Sequence, residues 1–208
     1  MSEAIANTEL TELLEHEHLE SFDLEAMNAL VHRAITYGDS PRLGFTDNPL
    51  LWLHAKRLAA PRLLVAKDAA IIAERGVGLC SDSVIVLNTL AERAGLPTRA
   101  VGLVGHVVAE IQVDGRWRVA DPSYGPVFDV SLAELTSSRT ELLDVYTNPA
   151  VKPMYLSTAD NVVTTGISLD NDLAAKQASL IHDADLWTSL LLVACSIGLL
   201  IAARLMKR

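Results

Sequence analysis

The chain has 208 residues, a length that suits one ordinary domain with at most a small addition and excludes a multidomain machine. Half of the residues are hydrophobic and 21% are charged, so the chain can bury a core and is not disordered. The net charge of −9 argues against a nucleic-acid-binding protein, which needs a basic face to neutralise phosphates. The two cysteines, Cys80 and Cys195, are too few for a disulfide-stapled scaffold and favour a reducing compartment.

The N-terminal segment is strongly acidic. Residues 1–25 contain eight acidic residues and no Lys or Arg, and His16 and His18 stand among them. A His-x-His pair can supply two metal ligands, but a zinc site needs more and no third His or Cys lies nearby in the sequence. We therefore predict a solvated acidic helix here, and no metal or cofactor for the protein.

A second helix follows, because apolar residues recur at helical spacing from Leu24 to Ile35. Gly38 is predicted to end this helix as its C′ residue. Residues 39–48 are predicted to form a loop, and a helix is predicted to begin at Asn48-Pro49. Pro61 interrupts that helix, and a further helix is predicted to end near Arg75, before Gly76.

The middle of the chain alternates between clear helix and strand patterns. Cys80 opens a helical pattern with one apolar face, and Gly95-Leu96-Pro97 stops it. Residues 98–103 predict a strand, and two further strands, 106–113 and 116–121, flank the hairpin turn Asp114-Gly115. Beyond Gly125 we predict short helices that begin at Ser131 or Ser137, a loop over residues 147–153 and a helix over 171–182.

The hairpin predicts which polar residues share a face of the sheet. A two-residue turn pairs Val113 with Arg116, and alternation along both strands then puts His106 and Asp121 on the same face. The two residues become diagonal neighbours about 7–8 Å apart at the backbone, within side-chain reach.

These residues suit nucleophilic catalysis by a cysteine. A carboxylate such as Asp121 fixes the tautomer of an adjacent imidazole, here His106, and favours its charged form. A cysteine at a helix N-terminus, as Cys80 is, has its thiolate stabilised by the helix dipole and by a nearby imidazolium. First-turn N–H groups can also hold an oxyanion. Each residue alone has an ordinary structural explanation, and the combination favours catalysis.

The run GVGLCSDSVIVLNTLAERAGLPTRAVGLVGHVVAEIQVDGRWRVADPSYG resembles the core of the transglutaminase-like superfamily. The resemblance covers roughly residues 60–130 and consists of a Gly-x-Cys helix start, a Gly-hydrophobic-Pro helix end, a His-initiated strand, a DG-x-W turn and a DP-x-x-G close. It implies a papain-like α+β fold in which the Cys-bearing helix packs on an antiparallel sheet. It also implies Cys80 as nucleophile, His106 as general base and then acid, and Asp121 as the orienting residue.

The function predicted from these residues is thiol-dependent acyl transfer on an amide bond of a peptide or protein. The enzyme would be a cysteine peptidase, an amidase or a transglutaminase-type acyltransferase, with a lean towards hydrolysis. The alternative is a catalytically inactive binding module of the same fold, tethered to a membrane. Tyr124, just past Asp121, is predicted to border the cleft.

A membrane anchor is predicted at the C-terminal end. Residues 186–203 form an uncharged apolar run of 18, which spans about 27 Å as a helix, enough for a hydrocarbon core. Trp187 stands at one end and basic residues follow the other. The basic residues after the run, with Asp183 and Asp185 before it, favour a cytoplasmic tail and an exported domain. Because the N-terminus lacks a signal-peptide pattern, we predict instead a single-pass, tail-anchored protein with its domain in the cytoplasm. The alternative is a buried core helix.

The predicted organisation has four parts. Residues 1–58 form an N-terminal helical region, 59–130 the catalytic core, 131–185 the rest of the globular domain with a linker, and 186–205 the transmembrane helix.

Overall fold

The computed structural model describes residues 3–44, 52–53, 56–57, 64–66 and 68–157. Contacts divide these residues into two compact units, one with residues 3–41 and 66–157 and the other with the described residues between 42 and 65. The predicted helix start at Asn48-Pro49, the break at Pro61, the helix at 171–182 and the transmembrane helix at 186–205 lie outside the described residues. Within the described ranges, no helix is both long and apolar enough to cross a membrane.

The first unit is an α+β fold. Its described helices are α1 Glu3–Leu13, α2 Leu24–Ala34, α3 Ala69–Arg75, α4 Cys80–Arg93, α5 Leu132–Ser137 and α6 Val151–Leu156, with a 3₁₀ helix at Thr140–Val145. Its strands are β1 Thr36–Tyr37, β2 Val77–Gly78, β3 Thr98–Leu103, β4 His106–Val113, β5 Arg116–Ala120 and β6 Val127–Phe128. Strands β3 to β6 form an antiparallel sheet in chain order, and β1 pairs with β2 in parallel. The predicted combination of helices and an antiparallel sheet is confirmed.

The second unit is described in short pieces. Arg42 and Val65 form an isolated antiparallel bridge, and the N–H of Leu43 donates to the carbonyl of Leu64 at 2.7 Å. These bonds join the two ends of the 42–65 segment to each other.

The acidic N-terminal segment is not the solvated helix that its charge predicts. Ala6, Leu10 and Leu14 recur every four residues and are 1%, 0% and 4% exposed, so one side of α1 is part of the core. The helix ends at Leu13, and His16 and His18 follow it on the surface. Charge dominates the composition of this segment, but the spacing of its few apolar residues decides its packing.

Helix α2 begins and ends through local backbone chemistry. The Asp23 carboxylate accepts the N–H of Ala26 at 2.9 Å and caps the start. The predicted end at Gly38 is wrong, because Ile35 already has an extended backbone and the chain then enters β1. Pairing of β1 with β2 outweighs the helical pattern at these residues.

The ends of α3 and α4 follow the predicted glycine signals. Gly76 ends α3 with a φ of 62°, a conformation that favours glycine. After α4, the N–H of Gly95 donates to the carbonyl of Glu92 and the N–H of Leu96 to that of Ala91. This pair of bonds is the Schellman motif, so the predicted stop at Gly95-Leu96-Pro97 is confirmed.

The predicted hairpin register is also confirmed. Asp114 and Gly115 have φ values of 51° and 76°, which give the turn the left-handed backbone that a two-residue hairpin requires. Val113 pairs with Arg116 and Ala109 with Ala120, as the two-residue turn predicts.

The sheet lies between two apolar clusters. One face contributes Ala109, Ile111 and Ala120 to a core shared with α1, α2, α3 and α4. The other face contributes Val101, Val108 and Val119 to a second core with the C-terminal helices; its remaining buried members are Leu103, Phe128, Leu132, Leu135, Leu143, Val151 and Tyr155. Alternation along the strands produces both faces, as expected for a sheet covered on each side.

The sequence predicts the start of α5 correctly, but it predicts a loop where α6 begins. Ser131 begins α5 with a capping box to Glu134, as predicted, whereas Ser137 is the last residue of that helix. The predicted loop over residues 147–153 is wrong from Val151 onward, where α6 begins. Pro153 is compatible with this helix because it lies in the first turn, where a missing N–H removes no helical bond.

A buried ion pair joins the sheet to α5. Glu110 is fully buried, and its Oε2 accepts both Nε and Nη2 of Arg99 at 2.6 Å. Its other oxygen, Oε1, accepts the N–H of Leu132 at 2.8 Å. Arg99 also stacks over Trp117, with 4.3 Å to the ring centre. Glu110 therefore links β3, β4 and the start of α5.

We expect Glu110→Ala to destabilise the fold by about 3 kcal/mol, the lower end of the range for breaking a buried pair. The lower end applies because the Arg99 side chain keeps 23% exposure and can recruit water. Denaturant unfolding of the full-length chain in mild detergent measures the change. Glu141→Ala is the matched control, because it breaks the exposed pair with Arg139 and should leave the midpoint unchanged. Equal midpoints for both variants would contradict a structural role for Glu110.

Candidate active site

Cys80 is the first residue of α4, and a buried acid fixes the turn that precedes it. Oδ2 of Asp82 accepts the N–H of Leu79 at 2.9 Å and the hydroxyl of Ser40 at 2.6 Å. Asp82 is 0% exposed, so water does not compete for these bonds. The capping position of Asp82, three residues after Leu79, thereby orients the backbone that carries the thiol.

Gly78 allows this turn to approach α4 closely. A Cβ at Gly78 would lie 2.8 Å from Cβ of Asp82, which is closer than real side chains come. The carbonyl of Gly78 accepts the N–H of Gly38 at 2.9 Å, which ties the segment before Cys80 to the end of β1. Any larger residue at position 78 would displace Asp82 from Leu79.

His106 and Asp121 meet at one end of the sheet. His106 is the first residue of β4, and Asp121 follows the last residue of the antiparallel neighbour β5. Nε2 of His106 lies 2.9 Å from Oδ2 of Asp121. The predicted proximity of these two side chains is thus what the structure has, and it follows from the hairpin register.

The carboxylate of Asp121 is the most heavily bonded group of the site. Its Oδ1 accepts the backbone N–H groups of Ser123 and Tyr124, each at 3.2 Å. Its Oδ2 lies 2.8 Å from the hydroxyl of Tyr146 and 3.1 Å from that of Tyr155, besides its bond to His106. Asp121 is 0% exposed, and these donors compensate for the lost hydration of the carboxylate.

Helix α2 holds the loop that follows Asp121. The side-chain amide of Asn28 donates to the carbonyl of Gly125 at 2.7 Å, and Nδ1 of His32 donates to that of Pro122 at 3.0 Å. Gly125 has a φ of 101°, and a Cβ there would lie 3.3 Å from the His32 ring. Glycine therefore meets both the backbone and the packing demands of this turn.

Cys80 is connected to Asp121 through a hydrogen bond to His106. Burial raises the pKa of the Cys80 thiol, but the hydrogen bond and charge of His106, with the backbone N–H groups of Val107 and Ser81, outweigh burial and hold the pKa below its usual 9.0. Because Nε2 of His106 faces Asp121, Nδ1 is the ring nitrogen available to the sulfur. The structure therefore brings the three predicted residues into one chain of contacts.

The same contacts that lower the pKa of Cys80 raise the pKa of His106. Burial lowers the pKa of His106, but the hydrogen bond to Asp121 and the bond to Cys80, with the charges of both partners, raise the pKa to about 9. A histidine pKa raised above its ordinary 6.5 means that the charged form stabilises the folded protein below pH 6.5, and that this stability is lost as the pH rises through 9. At neutral pH His106 is therefore charged, and its charge lowers the pKa of the Cys80 thiol.

Three tyrosines surround the polar groups. The ring of Tyr124 packs edge-on against His106 at a centroid distance of 5.2 Å and is 38% exposed, so it borders the site as its position after Asp121 predicts. Tyr146 and Tyr155 were not expected from the sequence. They follow Asp121 by 25 and 34 residues, in a part of the chain with no motif that points back to the site.

We expect alkylation of Cys80 to reach half its maximal rate below pH 9.0, and His106→Ala to move this midpoint to a higher pH. Burial remains in the variant, whereas the bond and charge of the imidazolium are lost. Peptide mass spectrometry on the full-length chain between about pH 4 and pH 10 reads Cys80 separately from Cys195. His16→Ala, which removes an exposed histidine outside the site, should leave the profile unchanged. An ordinary profile in the wild type would show that there is no ion pair.

A scan against protein-family models, a search of curated proteins and a search of solved structures each found no match to this chain. The physical arrangement of Cys80, His106 and Asp121 therefore provides the basis for assigning a function.

Proposed function

We propose that this protein carries out thiol-dependent acyl transfer on amide bonds, as a cysteine peptidase or amidase or as a transglutaminase-type enzyme. The observation that carries the proposal is the contact chain from a fully buried carboxylate through His106 to a thiol at a helix N-terminus. It contains a nucleophile, a proton carrier and an orienting group in the order that this chemistry requires.

We further propose that the fold is papain-like, of the transglutaminase-like kind. In support of this, the buried face of α4 shares a core with the sheet that carries His106: Val84, Leu87 and Leu90 pack in one cluster with Ala109 and Ile111. A Cys-bearing helix on an antiparallel sheet is the arrangement that the sequence resemblance implies.

The reaction follows from the protonation state of the pair. The Cys80 thiolate attacks the amide carbonyl, so that a carbon–sulfur bond forms while Nδ1 of His106 gives its proton to the leaving amine and the carbon–nitrogen bond breaks. In a hydrolase, water then attacks the thioester, His106 takes a proton from the water, and the thiolate leaves. In a transamidase, an amine takes the place of that water.

The oxyanion of the tetrahedral intermediate would rest on the first turn of α4. The N–H groups of Asp82 and Ser83 already donate to the carbonyl of Leu79, at 3.0 and 3.2 Å. The N–H of Cys80 itself, at the open end of the helix, is therefore the donor that we assign to the oxyanion.

We expect His106→Ala to lower turnover by about 10²–10⁴-fold, the usual contribution of acid–base help, and Cys80→Ser to abolish it. The full-length chain would be incubated with a library of peptide amides, and amine release and the thioester mass would both be measured. Cys195→Ser is the matched control and should retain wild-type turnover. Full activity in Cys80→Ser would contradict the proposal. A wild-type chain that releases no amine and forms no thioester would favour the inactive binding module instead.

We also propose that residues 186–205 anchor the protein in a membrane. The apolar run over 186–203 supports this proposal, as it is long enough to span a bilayer and is closed by basic residues.

We expect the full-length chain to float with lipid vesicles, and the double substitution Leu192→Arg and Ile197→Arg to prevent flotation. Each arginine near the centre of a span costs about 3 kcal/mol of insertion. The single surface substitution Glu9→Arg changes the net charge by the same amount as the two substitutions in the span, and controls for added positive charge. Flotation of the 192/197 variant would contradict the anchor.

A further inference from the structure

Two tyrosine hydroxyls contact Oδ2 of Asp121, whereas its backbone donors contact Oδ1. Tyr146 directly follows the 3₁₀ helix and Tyr155 lies in α6, so both come from the C-terminal part of the first unit. Their hydroxyls lie 2.8 and 3.1 Å from Oδ2 of Asp121. This is the same oxygen that faces Nε2 of His106.

Counting protons gives the direction of these bonds. Each hydroxyl has one proton, but the two hydroxyls and Oδ2 form three short contacts. The shortest joins the hydroxyls of Tyr146 and Tyr155 at 2.7 Å, and the next joins Tyr146 to Asp121 at 2.8 Å. Tyr155 therefore donates to Tyr146, which donates to Asp121. At 3.1 Å, Tyr155 is also placed to donate to Asp121 directly if Tyr146 cannot.

Burial makes these donors important. Asp121 and Tyr155 are both 0% exposed, so bulk water does not replace a lost hydroxyl at Oδ2. Burial, and next the charge of Asp121, raise the pKa of Tyr146 and of Tyr155 well above 10, so both hydroxyls keep their protons at any pH at which the protein works. They are permanent neutral donors, whereas His106 is a donor whose charge changes with pH.

We propose that Tyr146 and Tyr155 are positioning residues that share the charge on Oδ2 of Asp121 with His106, and so limit how tightly the carboxylate holds the imidazolium. The inference rests on the proposed function and names a part of its machinery that the Cys–His–Asp set omits. A proton held less tightly on His106 passes more readily to a leaving amine. The C-terminal helices thus contribute to the acid–base step without touching the reacting atoms.

Three of the described residues face the ring of His106, and the test must separate their effects on its pKa from the effect of Tyr146 and Tyr155. Asp121 approaches its ring from the end of β5, Cys80 from the start of α4, and Tyr124 packs against it from the following loop. Asp121 and Cys80 change the charge around the imidazole, while the hydroxyls of Tyr146 and Tyr155 act on it through Asp121.

We expect the double variant Tyr146→Phe/Tyr155→Phe to raise the pKa of His106 by about one unit, a tenfold tighter hold on the proton, which is the order of one hydrogen bond to a charged group. With both hydroxyls gone, the buried charge on Oδ2 is compensated chiefly by His106, which favours the imidazolium. The measurement is an NMR titration of the full-length chain with isotope-labelled histidine. Each single variant should raise the pKa by less than half as much, because Tyr146 keeps its bond to Asp121 in Tyr155→Phe and Tyr155 can take over that bond in Tyr146→Phe.

The controls separate charge sharing from loss of structure. Tyr124→Phe removes a hydroxyl from the ring beside His106 without removing a donor to Oδ2, and should leave the His106 pKa unchanged. Asp121→Asn should lower it, because burial then dominates. An unchanged or lowered pKa in the double variant overturns the inference. Tyr146→Phe alone gives the same test of sign if the double variant fails to fold.

The same titration distinguishes this inference from the proposed function. A wild-type His106 pKa near 6.5, with an ordinary Cys80 alkylation profile, contradicts the ion pair and the proposed function together. A raised wild-type pKa that does not rise further in the tyrosine variants contradicts the role of Tyr146 and Tyr155 alone.

Discussion

The buried charge of Asp121 is the constraint on which the rest of the site depends. Burial removes the hydration of a carboxylate and is costly unless hydrogen bonds replace it, and five polar groups in the described part of the chain lie within hydrogen-bond distance of Asp121. They come from the start of β4, the turn after β5 and the C-terminal helices. Assembling this shell therefore requires elements that are distant in sequence, and it couples correct folding to the electrostatics of His106.

The parts of the site that were predictable are those set by short-range rules. Asp114-Gly115 accepts a left-handed turn, the turn fixes the register of β4 and β5, and the register places His106 beside Asp121. Likewise Gly95 ends α4, and the N-terminal position of Cys80 follows from the apolar pattern behind it. In each case a few adjacent residues contain the whole physical cause, so the sequence was enough.

The parts that were missed depend on tertiary contact. Tyr146 directly follows the 3₁₀ helix and Tyr155 lies in α6, so both reach Asp121 only through tertiary packing. Nothing near either residue in the sequence indicates this contact. Asp82 is an intermediate case: its spacing from Leu79 is a capping signal, but its bond to Ser40 crosses 42 positions. For the acidic N-terminal helix, the composition predicted that the whole helix is exposed to solvent. The spacing of Ala6 and Leu10 instead buries one side of it.

Two buried carboxylates at the sheet, Glu110 and Asp121, differ in the kind of cation with which each is paired. Glu110 and Asp121 are both 0% exposed, at the same sheet. Glu110 is paired with the guanidinium of Arg99, and an arginine side chain is not a proton donor for acid–base chemistry in proteins. Asp121 is surrounded by neutral donors, and its cationic partner is His106, which can give its proton away. A histidine paired with a buried carboxylate can pass a proton, whereas the pair of Glu110 with Arg99 supplies no such proton and links β3, β4 and the start of α5.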